Sequence, residues 1–272
     1  MLDFDFHMHS AHSADSEEEM EQMIEGALKK GMKTICFTEH YDPDFPKEKE
    51  EFDFFLDTEP YLSHFQSCKK KYEGRIELRF GVEFGLQPHL SGECHEYVSA
   101  YPFDFVIGSS HIVKGKDPYL PEYFEGRSER EAYMEYFEEV LSCASLFNDF
   151  DVYGHLDYVV RYSPNKDRNY SYAAYSDILD EILRTLVDRG KGLEINTGGL
   201  AHGLSFPNPG PEVLKRYREF GGEILTVGSD AHRAERIGYR FEEALSVVKA
   251  AGFQYLTVFQ ERKPVFIPLN NI

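Results

Sequence analysis

The sequence contains no tryptophan, few cysteines and no long hydrophobic run. Its four cysteines lie far apart without paired spacing, which argues against a thiolate zinc site or a compact disulfide framework and favours a reducing cytoplasm. No apolar stretch approaches the length of a membrane span, and the N-terminus lacks the basic start and apolar run of a signal peptide. We therefore expect an unprocessed, soluble cytoplasmic protein with no membrane partner.

Basic residues are scarce as well, since 29 of them stand against 48 acidic residues and leave a formal charge of -19. That charge repels a polyanion unless metal ions or a local basic patch intervene, so general nucleic-acid binding is not expected. The 42% hydrophobic and 28% charged residues are ordinary for a globular protein. Because no repeat or low-complexity linker interrupts the chain, residues 1–272 are expected to form one domain, with an elaborated loop at about 41–74.

Short apolar runs alternate with longer amphipathic patterns along the whole chain. Ser16 and Glu19 predict a capping box ahead of the first helix, which Gly31 ends. The recurring order of strand, helix, glycine and strand predicts an α/β fold with parallel strands, either closed into a barrel or open as a doubly wound sheet. Seven strands are predicted, with an eighth candidate at 255–258: 2–6, 34–37, 76–82, 105–108, 152–154, 192–195 and 224–227.

Histidines and carboxylates stand at the C-terminal end of nearly every predicted strand, where barrel enzymes place catalysis. The first strand runs into His7-Met8-His9, whose alternate side chains share a face and can reach one ion. The candidate metal ligands are His7, His9, Asp15, His40, Glu83, His111, His155, Asp230 and His232. The remaining histidines fall elsewhere and are not expected to bind metal: His12, His64, His89, His95 and His202.

Nine imidazole and carboxylate ligands exceed what one tetrahedral ion can use. The sequence therefore predicts two or three divalent ions that share a bridging carboxylate, for which Glu83 is the natural candidate. Nitrogen and oxygen ligands without cysteine suit zinc, iron or manganese. Taken alone, Asp15 is also compatible with complementing the dipole of the following helix. Glu194 and Asn196 end a strand on the same side, either to orient ligands or as ordinary polar caps.

The candidate ligands resemble, in order, the motifs of the polymerase and histidinol phosphatase (PHP) family. The resemblance implies a distorted (β/α)7 barrel with its metal site at the C-terminal ends of the strands. It also implies that Glu83, Asp230 and His232 are catalytic residues. The ligand sets that it implies for three ions are His7, His9, Glu83 and Asp230 for the first, Glu83, His111 and His155 for the second, and Asp15, His40 and His232 for the third.

Within that family, the chain is similar to the stand-alone histidinol-phosphate phosphatases in its length and in residues 15–18, 154–162 and 194–200. The similarity implies hydrolysis of a small phosphomonoester, L-histidinol phosphate, in histidine biosynthesis, with a hydroxide that bridges two ions as the nucleophile. Arg161 is then the expected phosphate anchor, because a guanidinium fork matches phosphate oxygens. His202 is a second substrate-binding candidate, although the family often has a basic residue near this position.

Three other functions are compatible with such a site. A phosphoesterase acting on nucleotides or oligonucleotides would keep the metals, but the acidic charge disfavours long nucleic acids. An amidohydrolase-like barrel would attack carbon, and a carboxylated lysine on a strand, which is not evident here, would favour it. A non-enzymatic metal-binding module would use the ions only for stability. The complete ligand set and the candidate phosphate anchor favour the phosphatase.

Overall fold

Seven parallel strands lie side by side in chain order in the computed structural model, which describes residues 2–46 and 53–271. Nearly all of their residues are buried, as expected for parallel strands that are covered on both faces. The strands, β1 to β7, are Phe4–Met8, Thr34–Tyr41, Glu77–Gly85, Phe105–Ser109, Val152–Tyr153, Gly192–Asn196 and Leu225–Gly228.

The sheet closes on itself between β1 and the residues that follow β7. The backbone N–H of Asp230 donates to the carbonyl of His7 at 2.9 Å, and the N–H of His9 donates to the carbonyl of Ala231 at 2.9 Å. These bonds bring the first and last predicted ligand motifs next to each other. The barrel of seven strands is therefore confirmed, and the open doubly wound sheet is not the observed arrangement.

Nine α-helices surround the barrel within the described ranges, and none of them combines the length and apolar character needed to cross a membrane. They follow the amphipathic pattern of the sequence, since the apolar face of each longer helix is buried against the barrel. The helices, α1 to α9, are Met20–Lys29, Thr58–Lys71, Ser91–Ala100, Glu129–Leu146, Val159–Tyr162, Ser176–Asp188, Gly198–Ala201, Pro211–Glu219 and Phe241–Ala250.

The cap of α1 differs from the prediction. The capping box forms between Glu19 and Gln22, and the backbone N–H of Glu19 donates to the Gln22 side chain at 2.9 Å. Ser16 Oγ instead donates to the backbone carbonyl of His232 at 3.0 Å. The predicted pairing of Ser16 with Glu19 was wrong because the Ser16 hydroxyl has a partner far away in the sequence, which local patterns do not reveal.

The eighth candidate strand lies outside the barrel. Tyr255–Gln260 (β8) pairs with Lys263–Pro268 (β9) as an antiparallel hairpin. The hairpin packs at the N-terminal end of the barrel, because the backbone N–H of Arg262 donates to the carbonyl of Asp104, just before β4, at 2.9 Å. It therefore covers the end of the barrel opposite the predicted site.

The predicted loop is shorter than residues 41–74, because β2 continues to Tyr41 and α2 already begins at Thr58. Residues 47–52 of this connection lie outside the described residues. The flanking segments run antiparallel over the C-terminal mouth of the barrel, where the N–H of Asp42 donates to the carbonyl of Phe54 at 2.9 Å. The connection therefore contributes side chains to the mouth.

Candidate metal centre and active site

The nine predicted ligands converge at the C-terminal mouth of the barrel, although they come from segments spread from residue 7 to residue 232. Most of their side chains are buried. Asp15 and His232 are the most accessible, with 32% and 28% of their side chains exposed, so the outer edge of the centre faces solvent. Parallel strands explain the convergence, since all their C-terminal ends meet on one side.

The first group consists of His7, His9, Glu83 and Asp230. The Nε2 atoms of the two histidines are 3.1 Å apart, and Glu83 Oε2 lies 3.1 Å from the first and 3.6 Å from the second. Asp230 Oδ1 is 3.5 Å from His7 Nε2 and 3.6 Å from His9 Nε2. Ligands ~2.0–2.1 Å from a tetrahedral ion are roughly 3.3–3.4 Å from one another. These four atoms have the separations that a single zinc-sized ion requires.

Glu83 also faces a second group through its other carboxylate oxygen. Its Oε1 atom lies 2.8 Å from His155 Nε2 and 3.2 Å from His111 Nε2. The two oxygens of this buried side chain are therefore directed at different sets of imidazoles. That arrangement suits a carboxylate that bridges two ions.

Asp15, His40 and His232 form the third group at the outer edge. Asp15 Oδ2 is 3.0 Å from His232 Nε2 and 3.6 Å from His40 Nε2. The ring of His9 stacks between the other two imidazoles, with centroid distances of 4.1 Å to His40 and 4.2 Å to His232. This stack joins the third group to the first.

Contacts behind the ligands set their protonation. His7 Nδ1 is 2.6 Å from Glu194 Oε1, and a proton on Nδ1 satisfies that carboxylate. Nε2 of the same ring is then a lone pair, and it faces Glu83 Oε2 and His9 Nε2 at 3.1 Å. Lone pairs facing one another repel unless a cation lies between them, so the donor set fits a bound divalent ion.

Two further side chains hold ligands in the same way. His111 Nδ1 is 2.7 Å from Asp42 Oδ1, and His9 Nδ1 is 3.1 Å from Ser13 Oγ, which in turn donates to the buried carboxylate of Glu39 at 2.6 Å. The sequence-based prediction included neither Asp42 nor Ser13. Alternation after His40 was a usable signal for Asp42, because residues 40 and 42 share one face of an extended segment.

The buried carboxylates of the centre are ionised. Burial alone would raise the pKa of Glu83, but the surrounding imidazoles, above all His7, outweigh it and hold that pKa well below its usual range. Burial likewise opposes ionisation of Asp230, and the imidazoles of His7 and His9 together with the Arg161 guanidinium keep its pKa low. Both groups therefore present negative charge to a cation.

Glu194→Gln tests the contact behind His7. The amide oxygen still accepts a hydrogen bond, but it lacks the charge that raises the basicity of the imidazole. We expect metal affinity to fall by about 10- to 100-fold, as for other changes behind a metal ligand. Competition with a chromophoric chelator measures the effect, and Glu212→Gln on the exposed surface of α8 is the control. Wild-type affinity in Glu194→Gln would show that the contact is only structural.

Arg161 begins from α5 and is buried at the wall of the centre. Its Nη1 donates to Asp230 Oδ2 at 2.8 Å, Nε donates to Asn208 Oδ1 at 2.7 Å, and Nη2 donates to Asn196 Oδ1 at 2.6 Å. Three of the five N–H groups are thus used within the protein, and two remain for a ligand. Arg161 also turns Asp230 so that its other oxygen faces the imidazoles of β1.

A cavity of 480 Å³ opens above the centre. His202 lines it beside Tyr162, with ring centroids 5.4 Å apart. Partial desolvation and the charge of Arg161 lower the pKa of His202 to about 4, so this side chain is neutral at pH 7. It can offer a hydrogen bond but no charge. Aromatic side chains form much of the wall: Phe45, Phe54, Tyr119, Tyr158, Tyr162 and Tyr239.

A separate group of ligand-type atoms lies between α1 and α2, where Glu21, His64 and Cys68 come within 4.8 Å of one another. Hydrogen bonds account for both nitrogens of His64, because Nε2 is 3.1 Å from Glu21 Oε2 and Nδ1 is 3.0 Å from His12 Nε2. This group is satisfied without an ion, in keeping with the expectation that His12 and His64 are not ligands.

A parallel barrel with an imidazole and carboxylate centre at its C-terminal mouth is the arrangement of a metal-dependent hydrolase. The family model described as the PHP domain matches residues 5–198, from β1 to the start of α7. The chain belongs to the PHP domain family, and the resemblance predicted from the ligand motifs is confirmed.

Similarity to individual proteins extends over nearly the whole chain. A histidinol-phosphatase of Lactococcus lactis is 34% identical over 269 residues, which cover 97% of this chain and 96% of that protein. The histidinol-phosphatase of Bacillus subtilis is 26% identical and is matched over 93% of its length. The crystal structure of the Lactococcus lactis histidinol phosphate phosphatase with zinc, L-histidinol and phosphate covers 97% of this chain, with 32% identity and a TM-score of 0.87.

Proposed function

We propose that this protein hydrolyses L-histidinol phosphate to L-histidinol and phosphate, as a step of histidine biosynthesis in the cytoplasm. The observation that carries the proposal is the position of Glu83, whose two oxygens face separate imidazole groups at the floor of a cavity with a guanidinium in its wall. The similarity to histidinol-phosphatases over nearly their full length supports the same substrate.

The proposed centre holds three divalent ions in the ligand sets described above, with Glu83 shared between the first two. When bound, such ions supply an activated water at neutral pH and offset the charge of the phosphate. Zinc occurs in the Lactococcus lactis structure, and the nitrogen and oxygen donors of this chain suit zinc, iron or manganese. Glu83, Asp230 and His232 are the proposed catalytic residues because they hold the ions closest to the cavity.

The residues of the cavity have separate proposed roles. Arg161 binds phosphate oxygens with its two remaining N–H groups while it holds Asp230 in place. His202, being neutral, contributes a hydrogen bond to the same phosphate. The aromatic wall offers ring faces and edges to the imidazole of the substrate. Together these contacts would orient the phosphate toward the centre and keep the organic part against the wall.

A panel of substrates tests this proposal. Zinc-loaded protein is incubated with L-histidinol phosphate, sugar phosphates, nucleotides and oligonucleotides, and phosphate release is measured. We expect kcat/KM to be highest for histidinol phosphate, by at least about 100-fold over nucleotides, which corresponds to roughly 3 kcal/mol of discrimination. Activity confined to nucleotides or oligonucleotides would refute the proposed substrate and favour the phosphoesterase alternative.

A further inference from the structure

The positive charge of Arg161 is already partly committed within the protein. Its guanidinium forms an ion pair with Asp230, and its other two nitrogens donate to amide oxygens. A phosphomonoester dianion that approaches this side chain meets a carboxylate beside it. The protein as a whole carries a formal charge of -19, which repels the same dianion. Capture of the phosphate therefore calls for additional positive charge near the mouth of the cavity.

Two further arginines line the cavity, Arg233 and Arg236, and both are exposed at its rim. Neither forms an ion pair with a carboxylate of the residues that the structure describes, whereas Arg240 nearby pairs with Glu243. Arg236 lies over the ring of Tyr239, with its guanidinium carbon 4.8 Å from the ring centroid. The uncommitted charge at this rim thus comes from two side chains of one short segment.

The backbone of that segment is held in place from both sides. Lys30 Nζ donates to the carbonyl of Glu235 at 2.6 Å and to that of Ile237 at 2.7 Å. The N–H of Gly238 donates to the buried carboxylate of Asp5 at 2.9 Å. A Cβ atom added to Gly26 of α1 would lie 2.6 Å from the Cβ of Ala234, so the segment packs closely against that helix. The bases of both arginines are fixed while their ends stay exposed.

We propose that Arg233 and Arg236 form a phosphate-capture pair that draws the substrate's phosphate into the cavity and supplies the charge that Arg161 shares with Asp230. The inference rests on the proposed function for the identity of the substrate, although the pair would act on any phosphomonoester. His202, on the opposite wall, is neutral and does not supply that charge. Because both guanidinium groups are exposed, their effect falls as salt screens them.

Binding of inorganic phosphate to the zinc-loaded protein tests the pair without requiring turnover. Titration calorimetry compares wild type with Arg233→Gln, Arg236→Gln and the double variant. We expect each single change to weaken phosphate binding by about 3- to 10-fold at low salt, and the double change by roughly 30-fold. In wild type, the affinity should fall steeply with ionic strength, and this dependence should be weaker in the double variant.

Arg240→Gln is the matched control, since it removes one positive charge from the same region but does not line the cavity. It should bind phosphate within about twofold of wild type. Metal content is measured for every variant, so that a loss of ions next to His232 is not mistaken for a loss of phosphate contacts. Wild-type affinity in the double variant, or an equal loss in Arg240→Gln, would overturn the proposal.

The outcome is separable from that of the substrate panel. If the protein does not hydrolyse histidinol phosphate but loses phosphate affinity in the double variant, the capture pair stands and the proposed substrate falls. If histidinol phosphate is hydrolysed and its KM is the same in wild type and the double variant, the capture pair is wrong and the proposed function stands.

Discussion

Glu83→Gln is expected to lower kcat/KM by at least about a thousandfold, which corresponds to roughly 4 kcal/mol of lost transition-state stabilisation. The substitution keeps the size of the side chain but removes the charge that both oxygens direct at the imidazole groups. An amide presents one oxygen and one NH₂ group, so it cannot bridge two cations as a carboxylate does. We therefore expect the protein to bind fewer divalent ions as well as to lose activity.

Elemental analysis of purified protein, together with phosphate release, checks both expectations. Glu77→Gln is the control, because this exposed glutamate lies at the start of the same strand, at the opposite end of the barrel. Circular dichroism verifies that both variants fold. Wild-type metal content and activity in Glu83→Gln would show that this carboxylate does not bridge ions.

Arg161→Lys is expected to reduce kcat/KM by about 100-fold although it preserves the charge. Lysine has a single ammonium group, and it cannot contact Asp230, Asn196 and Asn208 together as the planar guanidinium does. The two amide oxygens would lose buried donors, and Asp230 would be free to turn away from His7 and His9. The change therefore affects both the phosphate anchor and the position of a metal ligand.

The two effects of Arg161→Lys can be distinguished. Loss of the anchor raises KM and weakens inhibition by inorganic phosphate, whereas movement of Asp230 lowers kcat and the affinity for the first ion. Arg184→Lys is the control, since Arg184 is exposed on α6 and pairs with Asp180. Unchanged kcat, KM and metal affinity in Arg161→Lys would remove this residue from the site altogether.

Strand order and ligand identity were accessible from sequence because both depend on local patterns. Apolar runs marked the seven barrel strands to within a few residues, and alternation placed His7 with His9 and Asp230 with His232. In a parallel barrel the C-terminal ends of all strands meet, so residues marked one strand at a time come together in space. The cap of α1 and the eighth strand were exceptions, since tertiary partners decide where Ser16 and Tyr255–Gln260 are placed.

The sequence by itself determined the class of fold, the nine candidate ligands and the bridging role expected of Glu83, because period and position in a strand encode them. Only the tertiary structure decided what surrounds those ligands. The partners of Arg161 come from three separate segments, and Asp42 reaches His111 from 69 positions away. The exposure of Arg233 and Arg236 depends on Lys30 and Asp5 behind their backbone. Such contacts join residues distant in the chain, and no local periodicity records them.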